Sequence, residues 1–344
     1  MRSMSGNEFA EKLLNGERDF SGIRLERSFN LSGTERFRQV QNYLLRQKLW
    51  EKPVILNGAD LKNFSGVGLY LPYVQAAYCD FSGSNLSGAN LFKANLDCAN
   101  LTDTNCFKTN FRFSNLQGAD LSKAILLKSF LQNSDLSRAR IRSGLLDHAN
   151  VESARMVRCN LMSSGMQHTN FKHADMQGAN LSDSNLQRAN FWNANLQEAK
   201  LAFSTMCNAD MRGARMQECD LAGCNLQDAD LRNCCLAKAD MREANLTNVR
   251  FFNCDLQHAV LEKVVLKNAS LVNANLKGAN LRNADLELCR LSNADFEGAD
   301  LSHARNIETA AQLVDARFSR TIITRQAHRS MNRLLNQKSM FVLR

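Results

Sequence analysis

Between Gly88 and Leu101 the chain reads GANLFKANLDCANL, with alanine, a polar residue and leucine returning at every fifth position. That period fits neither the 3.6-residue turn of a helix nor the two-residue alternation of an ordinary strand. From Phe81 to Leu301 the register never breaks: each of the 45 residues met in steps of five is Leu, Phe, Met, Ile, Val or Cys. Two positions before each of these centres the side chain is small, being Ala, Ser, Thr, Cys, Gly or, twice, Val (Val249 and Val264). A small and a large inward residue separated by one outward residue make a short extended segment. The next two residues both escape burial, so the chain must turn, and five residues form one side of a coil. If four sides close a coil, each coil takes 20 residues and stacks on the next at about 4.8 Å. Every backbone then bonds to the coils above and below, and strand edges remain only at the two ends. Forty-five sides would make about eleven coils, a rod on the order of 50 Å long. A length of 344 residues would also suit two globular domains, but this repeat excludes that organisation.

Segments such as Ala89-Asn90-Leu91-Phe92-Lys93, Ala179-Asn180-Leu181-Ser182-Asp183 and Ala299-Asp300-Leu301-Ser302-His303 carry a further likeness. They resemble the A(D/N)LXX motif of the pentapeptide-repeat family, over about two thirds of the chain. What the resemblance implies is an all-β solenoid, a right-handed quadrilateral β-helix; spacing alone gives neither the hand nor the four-sided section.

The ends differ from the rod. Residues 1–52 are expected to form a helical capping region, with one short helix over 5–15. A second helix would start at the capping-box sequence Ser32-Gly33-Thr34-Glu35 and run to about Trp50. The solenoid is expected over 53–304. Its first coils, 53–78, look distorted, because bulky Phe64 and Val74 stand where small residues belong and Gly66 and Ala76 stand at centres. After Leu301 the phase slips through Asn306-Ile307-Glu308-Thr309 and resumes two positions later at Leu313, Phe318 and Ile323. A short helical insertion and last repeats over 305–323 account for that. Residues 324–344 form a basic tail with Arg325, Arg329 and Arg333 at helical spacing, either a membrane- or nucleic-acid-binding segment or a solvated terminal helix.

Eleven cysteines suggest a disulfide framework or a metal site until their phase is read. Seven of them, including Cys79, Cys159 and Cys289, occupy the small inward position, where cysteine serves as a small buried residue. Cys234 and Cys235 are adjacent in an extended segment and point to opposite faces, which makes a poor chelate. No GxSxG, HExxH, Walker loop or paired CxxC set occurs, so neither catalytic nor cofactor-binding nor metal-ligating residues are expected. The chain has no run of about 18 apolar residues. Its first residues, MRSMSGNEFAEKLL, place a charged pair inside their only apolar stretch, unlike a secretory signal. The expectation is a soluble cytoplasmic protein without a transmembrane segment.

Function must then come from outward columns of residues 20 apart. One column reads Lys108, Lys128, His148, His168, Arg188, a basic ladder that switches to Asn208 and Asp228. Steps of about 4.8 Å lie well inside a Debye length, so the lysines repel unless an acidic partner or interspersed acids relieve them. The ladder marks an acidic partner surface or a polyanion site, or it is a chance run of solvated side chains. Outward apolar residues gather in the same coils: Phe92, Phe107, Phe113, Ile125, Leu127, Phe130 and Leu145. A contiguous apolar group marks a partner or homodimer surface, unless the N-terminal helices cover it. The columns Asn233-Asn253-Asn273-Asn293 and Gln177-Gln197-Gln217 read as structural amide ladders.

The family resemblance implies two kinds of role, gyrase protection by imitation of DNA, and cyanobacterial signalling or development. Imitating a duplex needs a strongly negative surface. Residues 79–305 instead sum to +1, with +3 before them and +5 after them, to the total of +9. A DNA-mimicking topoisomerase binder therefore stands as the alternative. Direct nucleic-acid binding through the tail stands second, since no basic groove interleaved with aromatics is evident in the sequence. The favoured reading is a non-enzymatic protein-interaction scaffold whose partner is a protein of unknown identity.

Overall fold

In the computed structural model the described residues are 1–310 and 315–323. The chain divides into two units, Met1–Asp175 and Met176–Arg344, each taken by itself below.

Both units are β-solenoid, built from the five-residue side. In the first, Asn90 bridges Asn110, Asn110 bridges Phe130 and Phe130 bridges Asn150, all in parallel at intervals of 20. In the second, Asn185 bridges Thr205 and Thr205 bridges Asn225. Four sides thus close each coil. Leu91 N–H donates to Asn110 C=O of the next coil at 2.8 Å, and Asn110 N–H donates back to Ala89 C=O at 2.9 Å. Within the side, Ala94 N–H closes the turn onto Leu91 C=O at 3.0 Å. The second turn residue takes a positive φ, +54° at Lys93 and +66° at Gly88, a conformation that disfavours most L-residues and admits Gly and Asn.

The polar residue before each centre has two tasks. Asn90 Oδ1 accepts from Phe92 N–H at 3.1 Å, which fixes the turn, and from Asn110 Nδ2 at 3.2 Å, which ties one coil to the next. The inward pair forms the core: Leu96, Leu116, Leu136 and Met156 are fully buried in one unit, and Leu226, Leu246 and Leu266 in the other. The small position accepts Thr or Cys because each can reach a carbonyl of the neighbouring coil. Thr104 Oγ1 donates to Phe81 C=O at 3.0 Å and Cys254 Sγ to Leu231 C=O at 2.7 Å. All eleven cysteines are free thiols. Burial raises the pKa of Cys79 and pushes that of Cys106, a centre, up to about 12, so neither is a nucleophile at neutral pH. Cys234 is buried while Cys235 is half-buried, on opposite faces.

The N-terminal region departs from the sequence expectation. It contains β1 (Arg2–Met4), α1 (Gly6–Leu14), β2 (Ile23–Leu25) and α2 (Arg36–Leu45), and β1 pairs in parallel with β2. Residues 19–31 form three sides of a coil: Asp19, Arg24 and Asn30 bridge Ile55, Asp60 and Ser65, with Phe20, Leu25 and Leu31 buried as centres. The signal was present in Asp19-Phe20, Arg24-Leu25 and Asn30-Leu31, but the extra Ser28 and the inserted α2 break its phase. The capping box does not form. Ser32 lies in a 3-10 turn, Leu31–Gly33, where Asn30 Oδ1 accepts from Gly33 N–H at 3.0 Å, and α2 begins after Glu35 and ends at Leu45. Coils 53–78 are regular in backbone. Phe64 fills the space a large centre would take, so that a Cβ on Gly66 would lie 2.6 Å from its ring. Phe9, Leu13, Leu31 and Leu44 line one apolar cavity with Leu56, Leu61 and Phe64, so the helices pack on the first coils' core.

At the other end a 3-10 turn, Ile307–Thr309, precedes a return to register. Asp295 bridges Arg317 and Asp300 bridges Ile322, an interval of 22 that absorbs two extra residues, and Phe318 stacks on Phe296 at 5.0 Å. Leu313 and the basic tail with Arg325, Arg329 and Arg333 lie outside the described residues.

Candidate functional site

In the first unit, Phe107-Lys108, Leu127-Lys128, Asp147-His148 and Gln167-His168 are successive turns at one corner of the coil. Lys108, Lys128, His148 and His168 are exposed, all with positive φ. Lys108 Nζ lies 5.1 Å above the Phe107 ring, a cation–π contact. His148 and His168 stack at 4.8 Å with planes 5° apart. Arg188 is an exposed turn residue of the second unit.

The outward apolar residues flank this corner. On one side Ile125 and Leu145 are bridged neighbours, half-buried and 43% exposed. On the other, Phe130 bridges Asn110 and Asn150 and carries the Arg112 guanidinium 4.6 Å above its ring. Beyond it, at the next corner, Phe92 meets Tyr73 at 5.8 Å and Phe113 at 5.6 Å, both edge to face. Phe107 and Leu127 are half-buried and Phe113 is 50% exposed, so the N-terminal helices leave this surface open. Tyr73, Lys93 and Arg112 belong to the same group and were missed. Lys93 Nζ stands 5.8 Å from the Tyr73 ring centre and 5.6 Å from that of Phe92. Stacking that corner by 20 would have found them.

Charge pairing separates this surface from the second unit. Lys93, Lys108, Arg112, Lys123, Lys128 and Arg142 have no carboxylate within ion-pair distance among the described residues. The corners also hold Asp103 and Asp147, and Asp147 Oδ1 accepts from Gln167 N–H at 2.6 Å. In the second unit Lys238, Lys263, Lys267 and Lys277 pair with Glu218, Glu243, Glu287 and Glu297, and Arg212, Arg232 and Arg242 each pair with the aspartate two residues earlier. Exposed pairs contribute little stability, but they leave little uncompensated charge. Asn253, Asn273 and Asn293 form the expected amide ladder down to Asn233, at 3.3, 3.0 and 3.1 Å. In the other amide column Gln177 Nε2 instead reaches Glu198 Oε1 at 3.5 Å, and Gln217 Oε1 is buried without a partner.

Comparison with known proteins agrees with this construction. A family model described as pentapeptide repeats matches in eight copies, spread over 74–142, 145–248 and 250–305. The chain belongs to the pentapeptide-repeat family. Among solved structures, this pentapeptide-repeat chain is similar to HetL, involved in heterocyst differentiation regulation in the cyanobacterium Nostoc sp. strain PCC 7120. The identity is 24% over 83% of this chain and 96% of that one, with a TM-score of 0.37. It is similar to QnrB1, a plasmid-mediated fluoroquinolone resistance protein, at 20% identity over 52% of this chain and 92% of that one, TM-score 0.46. It is also similar to Rfr23 from the cyanobacterium Cyanothece 51142, at 30% identity over 28% of this chain and 60% of that one, TM-score 0.22. No curated protein sequence matches it.

Proposed function

We propose that this pentapeptide-repeat protein is a non-enzymatic scaffold that docks a protein partner on the first unit's aromatic and basic surface. One observation carries the reading: the cations of that surface are unpaired and set among exposed rings, whereas four of the second unit's five described lysines are paired, all but Lys200. Unpaired cations beside apolar area form a surface ready for an acidic, partly apolar partner. We read the solenoid as right-handed and the N-terminal helices as its end cover. Eleven unpaired thiols suit a reducing compartment such as the cytoplasm. Among the described residues no helix is long and apolar enough to cross a membrane. The topoisomerase alternative lacks the acidic surface that duplex imitation needs, since 79–305 sums to +1.

The test is affinity capture from native lysate with the intact chain beside a variant carrying Lys108→Glu, Lys128→Glu, Phe107→Ser and Leu127→Ser. All four positions are turn residues outside the core, so circular dichroism should be unchanged. A specific protein lost only with the variant is the expected result. Unchanged capture removes the reading, and capture of gyrase independent of these residues revives the alternative.

A further inference from the structure

We infer that the partner element is an acidic amphipathic helix lying along the stacking direction on the side that carries Ile125 and Leu145. This inference rests on the scaffold reading and specifies its occupant. The side is a short apolar strip between two rows in which cations outnumber the single acids Asp103 and Asp147. Ile125 and Leu145, one coil apart, form its middle. Lys123 and Arg142 stand at the corner before the strip, and Lys108 and Lys128 at the corner after it, all four exposed and without an ion-pair partner among the described residues. Arg142 reaches only the Met162 sulfur, at 4.0 Å. Above Leu145 the next residue in the column is Gly165, beside which the Leu145 side chain and the Asp147 carboxylate lie, each 3.5 Å from where a Cβ would stand, so the strip ends there.

The dimensions match a helix. Three extended residues make a side about 10 Å wide, roughly the diameter of a helix with its side chains. Coils repeat at about 4.8 Å, while three helical residues rise about 4.5 Å. A helix on this strip therefore presents an apolar residue to each coil at positions i, i+3 and i+7, with Glu or Asp on both flanks facing the two cation rows. An extended strand points its side chains to two opposite faces, so it can turn apolar residues onto the strip or charges toward the two rows, but not both at once. Two rows around an apolar centre select the amphipathic helix.

The probe is a fluorescein-labelled synthetic helix with Leu at i, i+3, i+7 and i+10 and Glu on both flanks, compared with a peptide of the same composition in scrambled order. Anisotropy titrations with the full chain should show the patterned peptide binding about ten-fold or more tighter than the scrambled one. Ile125→Ser with Leu145→Ser should erase that preference. Lys123→Gln with Lys128→Gln, confined to exposed turns, should weaken binding by about ten-fold while leaving the circular dichroism spectrum intact. Equal binding of the two peptides, or full binding by both variants, overturns the inference. So does a labelled oligouridylate that binds more tightly than the peptide and is lost with the same lysines, since that assigns the surface to single-stranded nucleic acid. If capture of a protein depends on the surface but the patterned peptide fails to displace it, the helix inference falls and the scaffold reading stands.

Discussion

Single residues in this molecule are governed by their place in the five-residue side more than by their chemistry. The second turn position shows it most directly. Gly223 has φ +66° and a Cβ there would lie 2.7 Å from the Phe203 ring, so Gly223→Val should destabilise the chain by about 1–2 kcal/mol or more. Arg138 occupies the same position at φ +61° without an ion pair among the described residues, and Arg138→Gly should stabilise by up to about 1 kcal/mol. Urea denaturation midpoints check both signs. The carboxylates before the centres set the acid limit. Burial would raise Asp80, Asp120 and Asp300, but the hydroxyl and N–H of the serine two residues on, together with Lys62 beside Asp80, Arg140 beside Asp120, and Arg282 and His303 near Asp300, outweigh it, and all three lie below their ordinary range. A carboxyl lowered in the folded state stabilises above its unfolded value of about 3.9 and loses that contribution as pH falls through the folded one. Melting temperature should accordingly hold from neutral pH to about 5 and decline below about 4. Asp120→Asn should shrink that decline; an unchanged profile would contradict this assignment.

At the level of the element, the repeat was legible because each side repeats one inward pair without interruption. Phe81 to Leu301 needed no structure to be placed in register. Residues 19–31 obey the same chemistry but were hidden, since Ser28 shifts the phase by one and α2 separates their coil from Val54. The exchange of Phe64 and Gly66 is legible as a swap that conserves core volume, but the sequence does not show that the backbone of these coils stays regular through it. The basic corner was found by stacking in twenties, whereas Tyr73, Lys93 and Arg112 escaped because their corner was stacked only from Asn233 onward. Pairing of charges was within reach of the same operation, since Glu218 and Lys238, Glu243 and Lys263, Lys267 and Glu287, and Lys277 and Glu297 are each 20 residues apart, but the stacking was not carried over those residues. The helices make their own prediction. Leu44 of α2 is fully buried in the cavity shared with Leu56 and Leu61, so Leu44→Asp buries an unpaired carboxylate there. Hydrogen exchange should accelerate in residues 54–71, whose coils lose their cover, while amides around Leu226 and Leu246 keep their protection, as expected of a structure stabilised between neighbours. Uniform acceleration along the chain would contradict that local account.

For the molecule as a whole, the inward residues of both units do the same work and the outward residues do not. The second unit pairs Lys238, Lys263, Lys267 and Lys277 within its own surface, and the first leaves Lys93 and Lys108 beside aromatic rings. An account in which that difference reflects a docked protein can be tested without knowing the partner, by acylating lysines of the purified chain and of the same chain in native lysate and comparing each site with itself. Lys93, Lys108, Lys123 and Lys128 should lose reactivity in lysate, while Lys238, Lys263, Lys267 and Lys277 should react equally in both. Equal reactivity at all eight, or protection confined to the second unit, would contradict the assignment of the first unit's surface to a partner.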